Sequence, residues 1–358
     1  MDTASKVKAG SESTMDATAK VNAGKVNAGK EHWIGFDLGG TKMLAEVFDE
    51  KFNVVGRCRK KTKGHEGKDV GLKRINAVIR EALEQSQLKP AQITGLGIGC
   101  PGPLDLKKGL IREAPNLGWE NVPIRKSIED EFGIPVTVGN DVDFGVYGEY
   151  NFGAAQDARC VVGLFPGTGI GGGCVYEGRI FRGANSTCME IGHIPMALGG
   201  VLDGAGNAGT LESIASRLAI SGAAAQAAFR GAAPHLKSIA GTDIAEIRSA
   251  QLAEAIEKGD KMVRLIVETA SEYLALGVVT MIHLLAPDVI VLGGGLVEAM
   301  PELFVETISK EVKRRVLPSM REIYEIVPAK LGDQATVMGA AAAARQAIRE
   351  LDDLARNA

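Results

Sequence analysis

The sequence predicts an α/β protein in two lobes, on three observations. Three apolar strands in close succession lead into a helix-spaced apolar pattern and then a buried strand, an order that builds a sheet with helices against it. The 358 residues exceed what one hydrophobic core organises, so two core-bearing lobes are expected, 31–143 and 144–358. Finally, each half contains a glycine-rich turn joining two apolar strands, as a hairpin does.

The first strand is read over 32–36 and the second over 43–48, joined by a turn holding Asp37, Gly39, Gly40, Thr41 and Lys42. The third strand runs 54–60. A helix follows, with Val70, Ile75, Val78, Ile79 and Leu83 spaced for one apolar face, and then the strand 93–100. Ligands of such sheets gather at the carboxyl ends of strands, so the next motifs fall where chemistry is expected. Residues 114–119 read as a loop with Trp119 tucked into the core; its Asn116 carries an amide that both donates and accepts hydrogen bonds. The strand 134–138 ends at Asn140 and Asp141, and a helix begins directly after. Either residue could simply cap that helix. A carboxylate at the mouth of a sheet is equally placed to be a general base.

The second hairpin spans 163–178, with Gly167, Thr168 and Gly169 at its turn. Two strands meeting over such a turn leave backbone N–H groups pointing into a concavity where an anion can sit, although glycines also make ordinary tight turns. The two hairpins together are placed to clasp one polyphosphate. Beyond them lie Glu190 and His193, a pair three residues apart, and Glu212, an acid in the first turn of a helix over 211–217. The stretch 221–256 alternates helix patterns with turns and carries no evident chemistry. An apolar helix over 262–285 leads to the strand 289–292 and to Gly293, Gly294 and Gly295, a plain βα turn or one that lets a nucleotide approach the backbone. A helix over 301–316, a strand over 323–327 and an alanine-rich helix from Thr336 complete the chain.

At the paired glycine turns the sequence resembles the sugar kinases of the actin-like ATPase superfamily, specifically the repressor, ORF, kinase (ROK) family, over 33–344. The resemblance implies a two-lobed actin-like ATPase (ribonuclease H-like) fold, with the active site in the cleft between lobes and the C-terminal helix packed back on the first lobe. It implies ATP-dependent phosphorylation of an aldohexose, glucose before others, giving the 6-phosphate. By the same match Asp141 is the general base, and Asn116, Asn140, Glu190, His193 and Glu212 are sugar ligands. Gly39, Gly40, Thr41, Lys42, Gly167, Thr168, Gly169, Gly293, Gly294 and Gly295 face the nucleotide, and Asp37 holds Mg²⁺ through water. Small residues at Gly332, Gly339, Ala340 and Ala341 imply tight packing of the last helix, a structural role shared by Asp333.

The sequence departs from the family where most members place three cysteines that, with the histidine, bind structural zinc. Asp203, Ala205 and Thr210 stand at those positions here. A structural zinc needs four soft or imidazole ligands, so zinc is not expected, and His193 is free to meet a sugar hydroxyl.

Composition narrows the alternatives. A net charge of −3 gives no basic field for nucleic acid. Five dispersed cysteines without a CxxC suit buried thiols in a reducing compartment, which makes the cytoplasm the expected location. The most apolar region, 273–297, is interrupted by His283, Pro287 and Asp288, as in a core helix and strand, so no membrane partner is expected. Residues 1–30 lack large apolar side chains and read as a disordered tail too poor to form a helix-turn-helix. The resemblance further implies a homo-oligomer, dimer or tetramer. Fructose, mannose or N-acetylglucosamine as acceptor, polyphosphate as donor, and a sugar-sensing regulator are the competing readings.

Overall fold

The computed structural model describes residues 31–184 and 188–357; the reading of 1–30 as a tail lies outside the described residues. Strand β1 (Trp33–Leu38) forms because Trp33, Ile34, Phe36 and Leu38 are all buried, and it is the centre of the first sheet. β2 (Lys42–Phe48) and β3 (Val54–Lys61) follow antiparallel to one side. Helix α1 (Lys68–Ser86) buries Ile75, Val78, Ile79 and Leu83, whereas Val70 is 43% exposed. Val70 falls off the apolar face because the helix starts only two residues before it, and the buried set begins one position later at Gly71.

β4 (Gly95–Cys100) pairs parallel with β1. A small sheet of β5 (Leu104–Asp105), β6 (Leu110–Ala114) and β7 (Trp119–Val122) comes next, its last two strands flanking the expected loop 114–119. Strands of two to five residues are too short for a period of two to register. After α2 (Ile124–Phe132), strand β8 (Val136–Asn140) pairs parallel with β4 and runs directly into α3 (Asp141–Phe152). The first sheet is therefore ordered β3-β2-β1-β4-β8. The expected lobe boundary at 143 falls inside α3.

The second half opens with the hairpin β9 (Cys160–Pro166) and β10 (Ile170–Tyr176), extended by β11 (Arg179–Ile180). Helices α4 (Leu211–Ala215), α5 (Arg217–Phe229), α6 (Pro234–Ala240), α7 (Ser249–Glu257) and α8 (Lys261–Leu285) follow. α8 is long and apolar enough to cross a membrane, yet Val263, Val267, Leu274, Val278 and Ile282 on it belong to the larger hydrophobic core. β12 (Val289–Leu292), α9 (Gly294–Ala299), α10 (Pro301–Arg315) and β13 (Glu325–Pro328) complete a sheet ordered β11-β10-β9-β12-β13. β13 starts two residues later than its apolar pattern, because pairing with β12 begins at Glu325 and Ile323 stays exposed.

The last helix, α11 (Ala335–Asn357), packs on α3, β1 and β4. α3 and α11 share a core of Phe144, Val146, Val337 and Ala340 with Trp33 of the first sheet and Val161, Val175 and Val291 of the second. This closeness needs bare backbone: a Cβ on Gly97 would lie 1.9 Å from the Ala340 carbonyl oxygen, and one on Gly339 1.7 Å from that of Phe144. Gly97→Val and Gly339→Val are each expected to cost about 3 kcal/mol or more, because neither neighbour is a side chain that can turn away. Urea titration reads this directly; unchanged midpoints would show that the helix does not need the close contact.

Candidate active site

Parallel pairing brings three strand ends together. Asp37 on β1 is in register with Gly99 on β4, and Cys100 on β4 with Asn140 on β8. Neighbouring strands lie about 4.8 Å apart, so Asp37 and the Asn140-Asp141 corner are separated by roughly 10 Å across the mouth of the sheet. Asn140 does cap α3: its Oδ1 accepts from the Val142 and Asp143 amides at 2.9 and 3.1 Å. Its Nδ2 is not used by the cap, so capping and ligand binding are compatible. Asp141, the first residue of α3, accepts the Val142 amide on Oδ1 at 3.0 Å.

The electrostatics of this mouth are unusual. Burial pushes Asp141 up to about 6, against the hydrogen bond from Val142, and the charge of Glu190 adds to the rise. Asp37 is pushed up to about 7 by burial and then by Asp141 and Asp333, with Arg59 pulling the other way. The buried Cys100 thiol, raised by burial, also feels Asp141 and Asp37, as its place between their strands requires. Asp333, assigned only a structural part from sequence, therefore belongs to the acidic mouth, where it pairs with Arg59 at 2.5 Å. Burial likewise raises Asp143 to about 7, against the pull of Arg182. Sequence reasoning passed over this acid two positions after Asp141 in the same first turn. A set of mutually repelling carboxylates is a fitting seat for a hydrated Mg²⁺, with Asp37 its central member.

The second glycine turn closes with Gly167 N–H donating to the Gly169 carbonyl at 2.8 Å. Thr168 accepts from Arg217 Nη2 on its Oγ1 at 2.9 Å, and the Arg217 amide donates to Gly167 O. In the first turn, Thr62 anchors the backbone through Gly39 O and Thr41 O. Gly40 sits beside Asn116, whose Cβ would be 3.5 Å from a Cβ added at Gly40. Lys42 is exposed at the start of β2, in register with Lys61.

A cavity of about 760 Å³ joins these parts, lined among others by Thr41, Arg217, Arg248, Ser249, Gly295 and Glu298. Of the third glycine turn only Gly295 reaches it. A Cβ on Gly293 would strike Phe165, and one on Gly294 the Pro166 carbonyl, so those two serve close packing on β9. Glu298 is raised by burial and then by Asp333, so the cavity adjoins the acidic mouth. Arg217 is lowered by burial and by Arg248 beside it, and neither has a carboxylate partner among the ion pairs of the described residues. Arg217, Arg248, Ser249 and Glu298 were missed from sequence, because nothing local marks them.

On the other side, Asn116 is exposed in the 3-10 turn Pro115–Leu117, while Trp119 is buried and donates its ring N–H to Gly64 O at 3.1 Å. The loop reading and the buried tryptophan thus both hold. Glu190 is exposed just before the turn Ile191–His193. Glu212 accepts the Ile170 amide at 2.9 Å and the Gly204 amide at 3.0 Å, which ties it to the end of the phosphate turn. Those bonds leave it only its remaining lone pairs for a sugar.

His193, Asp203 and Glu212 bring ligand atoms within 4.8 Å of one another, at the place where the family pattern holds zinc. One imidazole and two carboxylates fall short of the four soft or imidazole ligands of a structural zinc, and His193 Nδ1 and Asp203 Oδ2 are instead joined by a hydrogen bond of 2.8 Å.

The ROK family matches residues 33–347. The glucokinase of Thermotoga maritima is 30% identical over 316 residues, covering 88% of this chain and 98% of that protein. A ROK family glucokinase from Streptomyces griseus, solved in complex with glucose and AMPPNP, is similar with a TM-score of 0.77 at 30% identity, over 88% of this chain and 99% of that one. The ROK hexokinase from Thermus thermophilus gives 0.75 at 30% identity, over 89% and 99%. The two sheets with α3 and α11 between them are the actin-like ATPase fold of these neighbours. With the family match spanning nearly every described residue, the chain belongs to the ROK family.

Proposed function

We propose that the protein is a sugar kinase that moves the terminal phosphoryl group of ATP onto the hydroxymethyl oxygen of an aldohexose, with glucose the leading substrate. The observation that carries this reading is Asp141, held at the start of α3 in the same acidic mouth as Asp37. Its Oδ1 is tied to the Val142 amide, which leaves Oδ2 to accept the hydroxyl proton as the oxygen attacks phosphorus. A pKa near 6 keeps it ionised at neutral pH yet basic enough to take that proton.

Transition-state charge spreads over the phosphoryl oxygens, so the site must supply positioning and countercharge. The N–H groups of Thr168 and Gly169, the Thr41 hydroxyl, Lys42 and Arg217 provide it, while the Gly167 N–H is spent on the Gly169 carbonyl and that residue shapes the turn. Asp37 would hold Mg²⁺ through water; the ion supplies further charge neutralisation to the donor. Asn116, Asn140, Glu190, His193 and Glu212 bind sugar hydroxyls, and the base of the nucleotide lies against Gly295, Arg248 and Ser249. The two sheets act as lobes that close over the sugar and exclude water. Free thiols, all but Cys188 buried, suit a cytoplasmic enzyme, and a homo-oligomer is part of the same reading.

A coupled assay of the purified protein with Mg²⁺-ATP or polyphosphate against a panel of hexoses tests the reading. Turnover of glucose with ATP is expected; no turnover with any sugar or donor would leave a sugar-sensing regulator instead. Arg217→Ala should lower kcat/KM for ATP by about 10–100-fold, the worth of a hydrogen bond to a charged group, with glucose KM unchanged. Unaltered ATP kinetics would remove Arg217 from the donor site.

A further inference from the structure

The loop after His193 returns on itself. Pro195 bridges to Thr210, Leu202 to Ala208, and the Leu211 amide donates to Ile194 O. At its centre the Asp203 carboxylate is fully buried, with 0% of the side chain exposed. Its Oδ1 accepts the amides of Ala205 and Asn207, both at 2.9 Å, and its Oδ2 accepts Thr210 Oγ1 at 2.9 Å and meets His193 Nδ1 at 2.8 Å. A carboxylate has about four lone-pair sites, and here four partners fill them. Residues 193, 203, 205 and 210 are the four positions that carry the metal ligands in the family pattern. The other three converge on the carboxylate at 203, joined by the Asn207 amide.

We propose that Asp203 replaces the zinc ion, acting both as the node that closes the 194–210 loop and as the positioning residue that fixes the proton of His193 on Nδ1. Because Asp203 can only accept, Nδ1 must donate, and the neutral ring keeps an unprotonated Nε2. This rests on the reading that His193 meets the sugar: Nε2 then accepts a sugar hydroxyl, whereas a zinc-bound ring would hold its proton on Nε2 and could only donate.

The groups facing the ring are Asp203, Glu212 and Glu190. Burial alone would lower its pKa, but the bond it donates to Asp203 and these charges outweigh it, and the pKa lies above the ordinary 6.5. Asp203 is held below its ordinary 3.8: burial opposes this, and the bonds from His193, Asn207, Thr210 and Ala205 prevail. The contribution of His193 to stability is complete below 6.5 and lost as pH rises through its raised value. That of Asp203 is complete above 3.8 and lost as pH falls through its lowered value. The pair therefore stabilises the loop most between these two ordinary values.

The ring nitrogens of the five histidines can be observed by ¹H–¹⁵N NMR of the intact protein, with His193→Gln giving the assignment. On the alkaline side of its titration His193 is expected as the Nδ1–H form, and added glucose should shift its Nε2. Asp203→Asn should abolish the fixed Nδ1–H form and raise glucose KM about tenfold with kcat nearly unchanged, as for loss of one hydrogen bond. An Nε2–H ring in the native protein, or one stoichiometric zinc in its metal analysis, would overturn the proposal without any variant being made. An Nδ1–H ring that glucose leaves unmoved would instead overturn the sugar contact on which it rests.

Discussion

Replacing Asp141 by Asn is expected to lower kcat by about 10²–10⁴ while changing glucose binding less than twofold, the signature of a lost general base. The amide keeps the volume and can still accept the Val142 N–H at the start of α3, so the helix and the Asn140 cap should survive. What it cannot do is take a proton from the attacking hydroxyl. The wild-type pH profile adds a second check. The base works only when ionised, and burial raises its pKa to about 6, so kcat should fall about tenfold per unit below that pH and level off above it. Isothermal titration with glucose separates binding from turnover. A variant with normal kcat would mean that another group accepts the proton, and Asp143, buried two positions further along, would be the next to test.

Asp37→Asn should lower kcat/KM for Mg²⁺-ATP by about 10²–10³, comparable to removing one preorganised charge from the transferring group. Its effect on the free protein should run the other way. Asp37 is raised from 3.8 to about 7, so between those values the folded chain binds more protons than the unfolded chain. Stability therefore falls as pH rises through that window, and the ionised carboxylate destabilises the fold at pH above 7. Without Mg²⁺ the Asn variant is expected to melt a few degrees higher than wild type under alkaline conditions, the usual opposition between stability and a charged site. Adding Mg²⁺ should raise the wild-type Tm and leave the variant nearly unmoved, since a ligand stabilises only the state that binds it. If the two proteins melted alike with and without Mg²⁺, Asp37 would not be the cation's seat.

The sequence alone carried what is local. The apolar runs of β1, β2, β9 and β12, the long core helix and the small residues of α11 were readable because burial period and residue size are written along the chain. So was Asp141, since a carboxylate directly after a strand must stand at the mouth of a sheet, and so was the loss of three cysteines at 203, 205 and 210. Tertiary structure alone decided the rest. It set Asp333 against Asp37 and bonded it to Arg59, 274 residues away. It brought Arg217 and Arg248 to the wall of one cavity, left only Gly295 of three glycines facing it, and folded 104–122 into a small sheet. It also made His193 and two of the vacated cysteine positions, 205 and 210, partners of the carboxylate at the third, Asp203. Charge pairs and hydrogen bonds between distant segments leave no periodic trace in either, because their energy depends on where the backbone carries them and not on the residues beside them.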